Sequence, residues 1–223
     1  VSVQLRVLAD AESVSAYVAH EILAALPHHA DAPEVHLALA GGRTPLRAYE
    51  IVAADTSRVA WSRVHLWWGD ERCVPPDHAD SNFRAAQEKL AGRVPIPAEN
   101  VHRIRGELPP GEAAASYERE LARRPLDLVL LGMGADGHTA SLFPGGAWLD
   151  EAARWAVPAR APVAPHDRVT LTYPALAAAR RVVIAVTGAE KRDALRRVLA
   201  GDLSLPAARV AGAVWVADAA ASG

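Results

Sequence analysis

The sequence predicts an α/β protein built on a mainly parallel sheet with helices on both faces. Short apolar runs bounded by Gly, Pro and Asp recur along the chain, and segments with apolar residues at helical spacing lie between most of them. Strands that alternate with helices are joined by crossovers, which lay the helices on the faces of a parallel sheet. The third observation is size: 223 residues, 51% of them hydrophobic, supply a sizeable core and fit one domain over 1–223.

Val3 to Leu8 alternates like a strand, and Ala11 to Leu26 carries helical spacing with Asp10 placed to cap it. Val35 to Ala40 is the second strand, Gly41 to Pro45 a turn, and Pro45 to Ala54 a helix with proline near its start. Val64 to Trp68 is the third strand, followed by a polar loop from Gly69 to Ala79. Ser81 caps a helix through about Leu90, Pro95 and Pro97 break the chain, and Val101 to Ile104 reads as a short strand. Glu112 to Arg123 is helical, and Leu126 to Leu131 is a buried strand that runs into a glycine-rich turn. Pro144 to His166 is the least regular stretch and is expected as a small excursion, at about 144–166, with its own hairpin. Strands follow around Val169 to Thr172, at Val182 to Val186 and at Val214 to Ala217, with a helix from about Ala189 to Ala200 between the last two.

Composition removes several function classes. A formal charge of −2 with no Lys/Arg cluster gives no footprint for nucleic acid, so an anionic ligand must be held by local charge. Cys73 is the sole cysteine, which excludes an intramolecular disulfide and a Cys-rich metal site and suits a reducing cytoplasm. The first residues carry no signal-peptide pattern and no apolar stretch approaches the ~18 residues of a membrane span, so neither secretion nor membrane insertion is expected. With no coiled-coil or paired-helix segment, the expected state is a monomer.

Chemistry-bearing residues gather where strands end. In Gly132-Met133-Gly134-Ala135-Asp136-Gly137-His138, glycines let the backbone approach a ligand, and the carboxyl end of a strand is where open α/β sheets bind one. His138 there has the residue type that takes a proton from water near neutral pH, and Asp136 either orients it, bonds a substrate or simply makes a turn. At Gly41-Gly42-Arg43-Thr44-Pro45, free NH groups, a helix dipole, a hydroxyl and a charge suit phosphate; a proline-started helix after a tight turn explains the same residues. Gly69-Asp70-Glu71-Arg72 is either a charged surface turn or a strand-end cluster in which Arg72 meets an anion and Asp70 a hydroxyl. Ser81 reads as a cap, Asn82 as a cap or ligand, and His166, Arg168 and Lys191 as further ligand candidates set against solvated alternatives. His36 and His65 lie inside strands and read as packed core residues, His28 and His29 suit a helix C-terminus, and no histidine has a metal-ligand spacing. Cys73 reads as a small buried residue.

The ordered set Ala40 to Pro45, Trp68 to Pro75, Ser81-Asn82 and Gly132 to Pro144 resembles the glucosamine-6-phosphate isomerase/6-phosphogluconolactonase family, on its lactonase side, and the match spans nearly the whole chain. The segments Pro165 to Thr170 and Thr187 to Lys191 are similar to it as well. The resemblance implies an open, Rossmann-like sheet of the glucosamine-6-phosphate deaminase/ribose-5-phosphate isomerase fold, and hydrolysis of 6-phosphoglucono-1,5-lactone in the pentose phosphate pathway. It makes His138 the general base, Arg72 a ligand to substrate or developing charge, and Asp136 and Asp70 groups for histidine orientation or hydroxyl binding. Gly41, Gly42, Arg43, Thr44 and Lys191 become phosphate-side candidates, with Asn82, Gly137, His166 and Arg168 beside them. The implied reaction requires no metal and no organic cofactor, because a lactone is already electrophilic.

Two positions depart from the pattern. Arg43 stands where many relatives have serine, and Phe143 stands where the resembling deaminases carry a glutamate used in ring opening. The second departure weighs against the nearest rival, an amino-sugar-phosphate deaminase or isomerase. A sugar-phosphate-sensing domain is the rival from another class, disfavoured by the candidate base and by the lack of a DNA-binding appendage.

Overall fold

A computed structural model describes residues 4–55 and 58–223; Val3, the start of the first predicted strand, lies outside them. The strands are β1 (Gln4–Leu8), β2 (Val35–Leu39), β3 (Val64–Trp68), β4 (Asp70–Arg72), β5 (Leu128–Gly132), β6 (Ala156–Arg160), β7 (Asp167–Leu171), β8 (Val182–Val186) and β9 (Val214–Asp218). Six of them form one sheet in the order β1-β9-β8-β5-β2-β3, with every pair parallel. The remaining three form an antiparallel sheet in the order β4-β7-β6. Central β5 and β8 are unbroken apolar runs whose side chains are buried on both faces, as inner parallel strands require. Edge strand β1 instead leaves Val7 51% exposed.

The chain passes from β2 outward to β3, but from β5 in the other direction to β8. The order therefore reverses between β2 and β5, and the loops leaving these two strands diverge to open a crevice.

The helices are α1 (Ala11–Ala25), α2 (Arg43–Ala54), α3 (Asn82–Ala86), α4 (Pro110–Leu121), α5 (Tyr173–Ala178), α6 (Arg192–Leu199) and α7 (Ala219–Ser222). Asp10 caps α1 by accepting from Ser13 N at 2.8 Å, and Val14, Val18 and Ile22 form its buried stripe. Full burial of each such side chain stabilises by ~1.5–3 kcal/mol. Helix α2 begins two residues earlier than predicted, because Gly42 at φ +100° turns the chain directly into it. Ser81 caps α3, accepting from Arg84 N at 3.1 Å, but after Ala86 the pitch widens to a π-turn over Gln87–Ala91. No helix among the described residues is long and apolar enough to cross a membrane.

Two sequence expectations need correction. The predicted loop from Gly69 to Ala79 contains β4, and the predicted strand Val101 to Ile104 contributes only a bridge from Val101 to Leu66, with His102 N donating to Leu66 O at 2.8 Å. That bridge and a buried tyrosine serve the outer edge of β3, which has no neighbouring strand among the described residues. Tyr117 Oη accepts from Trp68 N at 2.8 Å and donates to Trp68 O at 2.9 Å. Tyr49 clasps Ala40, just beyond β2, in the same way, both bonds at 2.9 Å. Burial pushes both phenols above the ordinary tyrosine range, so each remains a hydroxyl that can accept and donate at once. The two clasps fix the strand ends from which Gly41 and Gly69 depart.

Candidate active site

A cleft of about 330 Å³ opens at the carboxyl ends of β2, β3 and β5. Gly41 and Gly42 form one wall; an added Cβ on Gly41 would lie 2.1 Å from Asn82 Oδ1, so no side chain fits there. Asp70, Arg72 and Asn82 come from the β3–β4 side, His138 from the turn after β5, Arg168 from β7, and Lys191 from the turn after β8.

The turn after β5 holds the histidine by a small set of bonds. Thr139 Oγ1 donates to Gly132 O at 2.8 Å, and Gly134 N donates to His138 O at 2.9 Å. Asp136 Oδ1 accepts from His138 N at 3.1 Å and lies 2.5 Å from His138 Nδ1. A carboxylate only accepts, so the ring proton sits on Nδ1 and the Nε2 lone pair is free. A Cβ on Gly134 would lie 2.1 Å from His138 Nδ1 and 2.6 Å from Asp136 Oδ1, so glycine is what lets the pair form. Phe143 packs its ring centroid 4.7 Å from that of His138.

Cations meet in this cleft at close quarters. β4 pairs with β7 so that Arg72 stands directly across from Arg168, and like charges at paired positions repel. Arg168 is buried, anchored through Nε to Pro165 O at 2.8 Å, and burial, then the charge of Arg72, pulls its guanidinium below the usual arginine range. Lys191 is lowered first by burial, with Arg43 adding like charge and Glu190 opposing. An anion between them relieves the repulsion.

The acidic residues divide by role. Glu71 is 2% exposed and is consumed by structure: it accepts from Arg72 N, Asn82 N and Phe83 N, all at 2.7 Å, and from Ser81 Oγ at 3.1 Å. Desolvation raises its pKa against those bonds. Asp70 faces the cleft, with Oδ2 accepting from Ser141 Oγ at 2.6 Å and Oδ1 from Asn82 Nδ2 at 3.3 Å. Asn82 also donates to Asp70 O at 2.9 Å, so its amide positions the aspartate. Ser141 carries no pattern of its own in the sequence beyond its place inside the motif Gly132 to Pro144.

Five predicted site residues lie off the cleft wall: Asp136, which stands behind His138, and Arg43, Thr44, Gly137 and His166. Arg43 and Thr44 line a neighbouring groove, where Thr44 Oγ1 is 2.9 Å from Thr187 Oγ1 and ties the turn after β2 to the turn after β8. His166 is exposed and its Nδ1 meets Ala161 O at 2.9 Å, closing the β6–β7 hairpin. Gly137 is buried at φ +80° with its carbonyl accepting from Ala207 N at 3.0 Å. Val163 in that hairpin lines the cleft while 66% exposed, a position no sequence pattern marked. Cys73 is half-buried, and burial pushes its thiol up to about 11.

Comparison with known proteins places these features in a family. The family model described as glucosamine-6-phosphate isomerases/6-phosphogluconolactonase matches residues 9–217. A 6-phosphogluconolactonase of Haemophilus influenzae is 38% identical over 185 residues, covering 79% of this chain and 79% of that protein. The crystal structure of a 6-phosphogluconolactonase from Thermotoga maritima superposes with a TM-score of 0.83 at 34% identity, covering 97% of this chain and 99% of that one. A monomeric glucosamine-6-phosphate deaminase superposes with a TM-score of 0.84 over 98% of both chains at 18% identity, a likeness of fold.

Proposed function

This chain belongs to the glucosamine-6-phosphate isomerase/6-phosphogluconolactonase family, and from that premise we propose that it hydrolyses 6-phospho-D-glucono-1,5-lactone to 6-phospho-D-gluconate in the oxidative pentose phosphate pathway. The observation that carries the reading is the His138–Asp136 pair, 2.5 Å apart, beside a cleft in which Arg72 and Arg168 stand opposed.

His138 Nε2 takes a proton from water as the water oxygen attacks the lactone carbonyl carbon. Asp136 holds the tautomer and stabilises the imidazolium that results, as a carboxylate does behind a catalytic histidine. The carbonyl oxygen becomes an oxyanion, met by an arginine or by backbone NH groups of the glycine turns. When the carbonyl re-forms, the C1–ring oxygen bond breaks, and the leaving oxygen takes the proton from His138 Nε2. The new carboxylic acid then ionises. Arg72, Arg168 and Lys191 hold the phosphate and the developing charge, Asp70 bonds a sugar hydroxyl, and Gly41 and Gly42 let the substrate approach backbone. A soluble sugar phosphate as substrate fits a cytoplasmic setting.

The deaminase shares the fold, so the test must separate the two chemistries. Freshly prepared lactone and glucosamine 6-phosphate are supplied in parallel, with acid release from the first read against its spontaneous background and ammonia from the second. Acid release above background with no ammonia is expected; ammonia release without lactonase activity would overturn the reading.

A further inference from the structure

A second cluster of polar side chains lies at the opposite, amino-terminal edge of the main sheet. Register places His36 of β2 across from His65 of β3, with ring centroids 4.6 Å apart. Both rings face one carboxylate: Glu34 Oε2 is 3.6 Å from His65 Nε2 and 4.0 Å from His36 Nε2. One ligand atom from each residue lies within 4.8 Å of the other two. Glu34 Oε1 turns the other way, 3.6 Å from Arg63 Nη1, which leaves Oε2 to the histidines.

Proton bookkeeping shows what this cluster lacks. His102 Nδ1 is 2.7 Å from Glu120 Oε1, so it donates there, and His102 Nε2 accepts from His65 Nδ1 at 3.0 Å. His65 Nε2 is left with a lone pair directed at a carboxylate, two acceptors with no donor between them. A carboxylate and second imidazole behind a histidine is also the kind of support that fixes the tautomer of a metal-ligating ring.

We propose that His65 Nε2 and the Glu34 carboxylate bind a divalent transition-metal ion of the zinc class, with His36 Nε2 as third ligand and water completing the shell. Imidazole and carboxylate are ligands such ions accept. Tetrahedral bonds of about 2.0–2.2 Å put neighbouring ligands roughly 3.3 Å apart, a few tenths closer than the His65–Glu34 pair already stands. Entry is open, since the Glu34 side chain is 48% exposed. His36 is the ligand that costs most. Trp67 Nε1 donates to His36 Nδ1 at 3.1 Å, which keeps the His36 proton on Nε2; ligation moves that proton to Nδ1 and breaks the indole bond. Glu34 and His36 are two residues apart, and His65 joins them only through β2–β3 pairing, which no spacing in the sequence marks.

Zinc chloride titrated calorimetrically into the full chain tests the site, with cobalt absorption reporting tetrahedral ligation. One saturable equivalent is expected, kept by His138→Ala and weakened at least tenfold by Glu34→Gln and by His65→Asn. His102→Asn, acting only behind His65, is expected to weaken it by roughly tenfold. Trp67→Phe removes the competing donor and is expected to tighten binding severalfold; unchanged or weaker binding would strike His36 from the ligand set. No saturable equivalent, or one that survives both Glu34→Gln and His65→Asn, would overturn the proposal. Glu34→Gln is at an exposed side chain, so its result does not depend on an intact core.

Discussion

His138 and the His36–His65 pair lie at opposite ends of the same sheet, and their surroundings treat one residue type in two different ways. At the carboxyl end, His138 sits on a glycine turn, a third exposed, with one carboxylate behind it and a free Nε2 at the edge of a cationic cleft. At the amino end, His36 is 6% exposed between paired strands, stacked on His65 and bonded by Trp67, and burial, then the neighbouring His65, pushes it down to about 4. Strand pairing buries His36 and Trp67 bonds its ring; the turn beyond β5 leaves His138 Nε2 free. The turns after β2, β3 and β5 line the cleft, and the clasped strand ends hold them still.

The largest expected effect that sharpens this contrast comes from Gly134→Ala. Its Cβ has no room beside His138 Nδ1 and Asp136 Oδ1, so the pair separates and kcat falls toward the level of an enzyme without its base, about 10²- to 10⁴-fold. Circular dichroism and Tm close to wild type would show that the loss is local. Retained kcat would mean that the pair is dispensable.

Next comes the cleft charge. Arg168→Gln removes one of two opposed cations, and the lost charge-assisted bond, ~1.5–3 kcal/mol, corresponds to roughly ten- to hundredfold in affinity. The expected signature is a raised KM with a smaller change in kcat, and an unchanged KM would remove Arg168 from the anion site. Tyr117→Phe belongs to the scaffold: it leaves Trp68 N and O without their partner and should cost about 1–3 kcal/mol in denaturant unfolding. If kcat fell more steeply than stability, the clasp would be shown to govern the loop itself. The smallest effect is expected at Cys73, whose thiol at about 11 carries little thiolate at pH 8. Iodoacetamide should modify it slowly under native conditions and leave turnover unchanged.

Much of this contrast was legible in the chain. Apolar runs such as Val182–Val186 marked inner strands with their observed limits, and Asp10 and Ser81 marked caps, because local physics decides both. Glycine-flanked His138 after a buried strand marked the turn, and the ordered motifs marked the family. What was hidden depends on pairing between distant segments. β4 reads as loop in the sequence because three charged residues become a strand only against β7, and the Arg72–Arg168 opposition exists only in that register. Val101 to Ile104 looked like a strand because its apolar residues are needed to cover an edge, not to extend the sheet. Arg43 and Thr44 sat in the right turn, yet the helix begins at Arg43 and carries both side chains to the adjoining groove.

The claim that His138 is the base and the amino-end histidines are not is tested most directly by acid release from freshly formed 6-phosphogluconolactone, corrected for spontaneous opening. Wild type, His138→Ala and His65→Asn are compared at saturating substrate. The account predicts that His138→Ala loses about 10²- to 10⁴-fold in kcat while His65→Asn keeps the wild-type rate. Full activity in His138→Ala, or an equal loss in both variants, would contradict it.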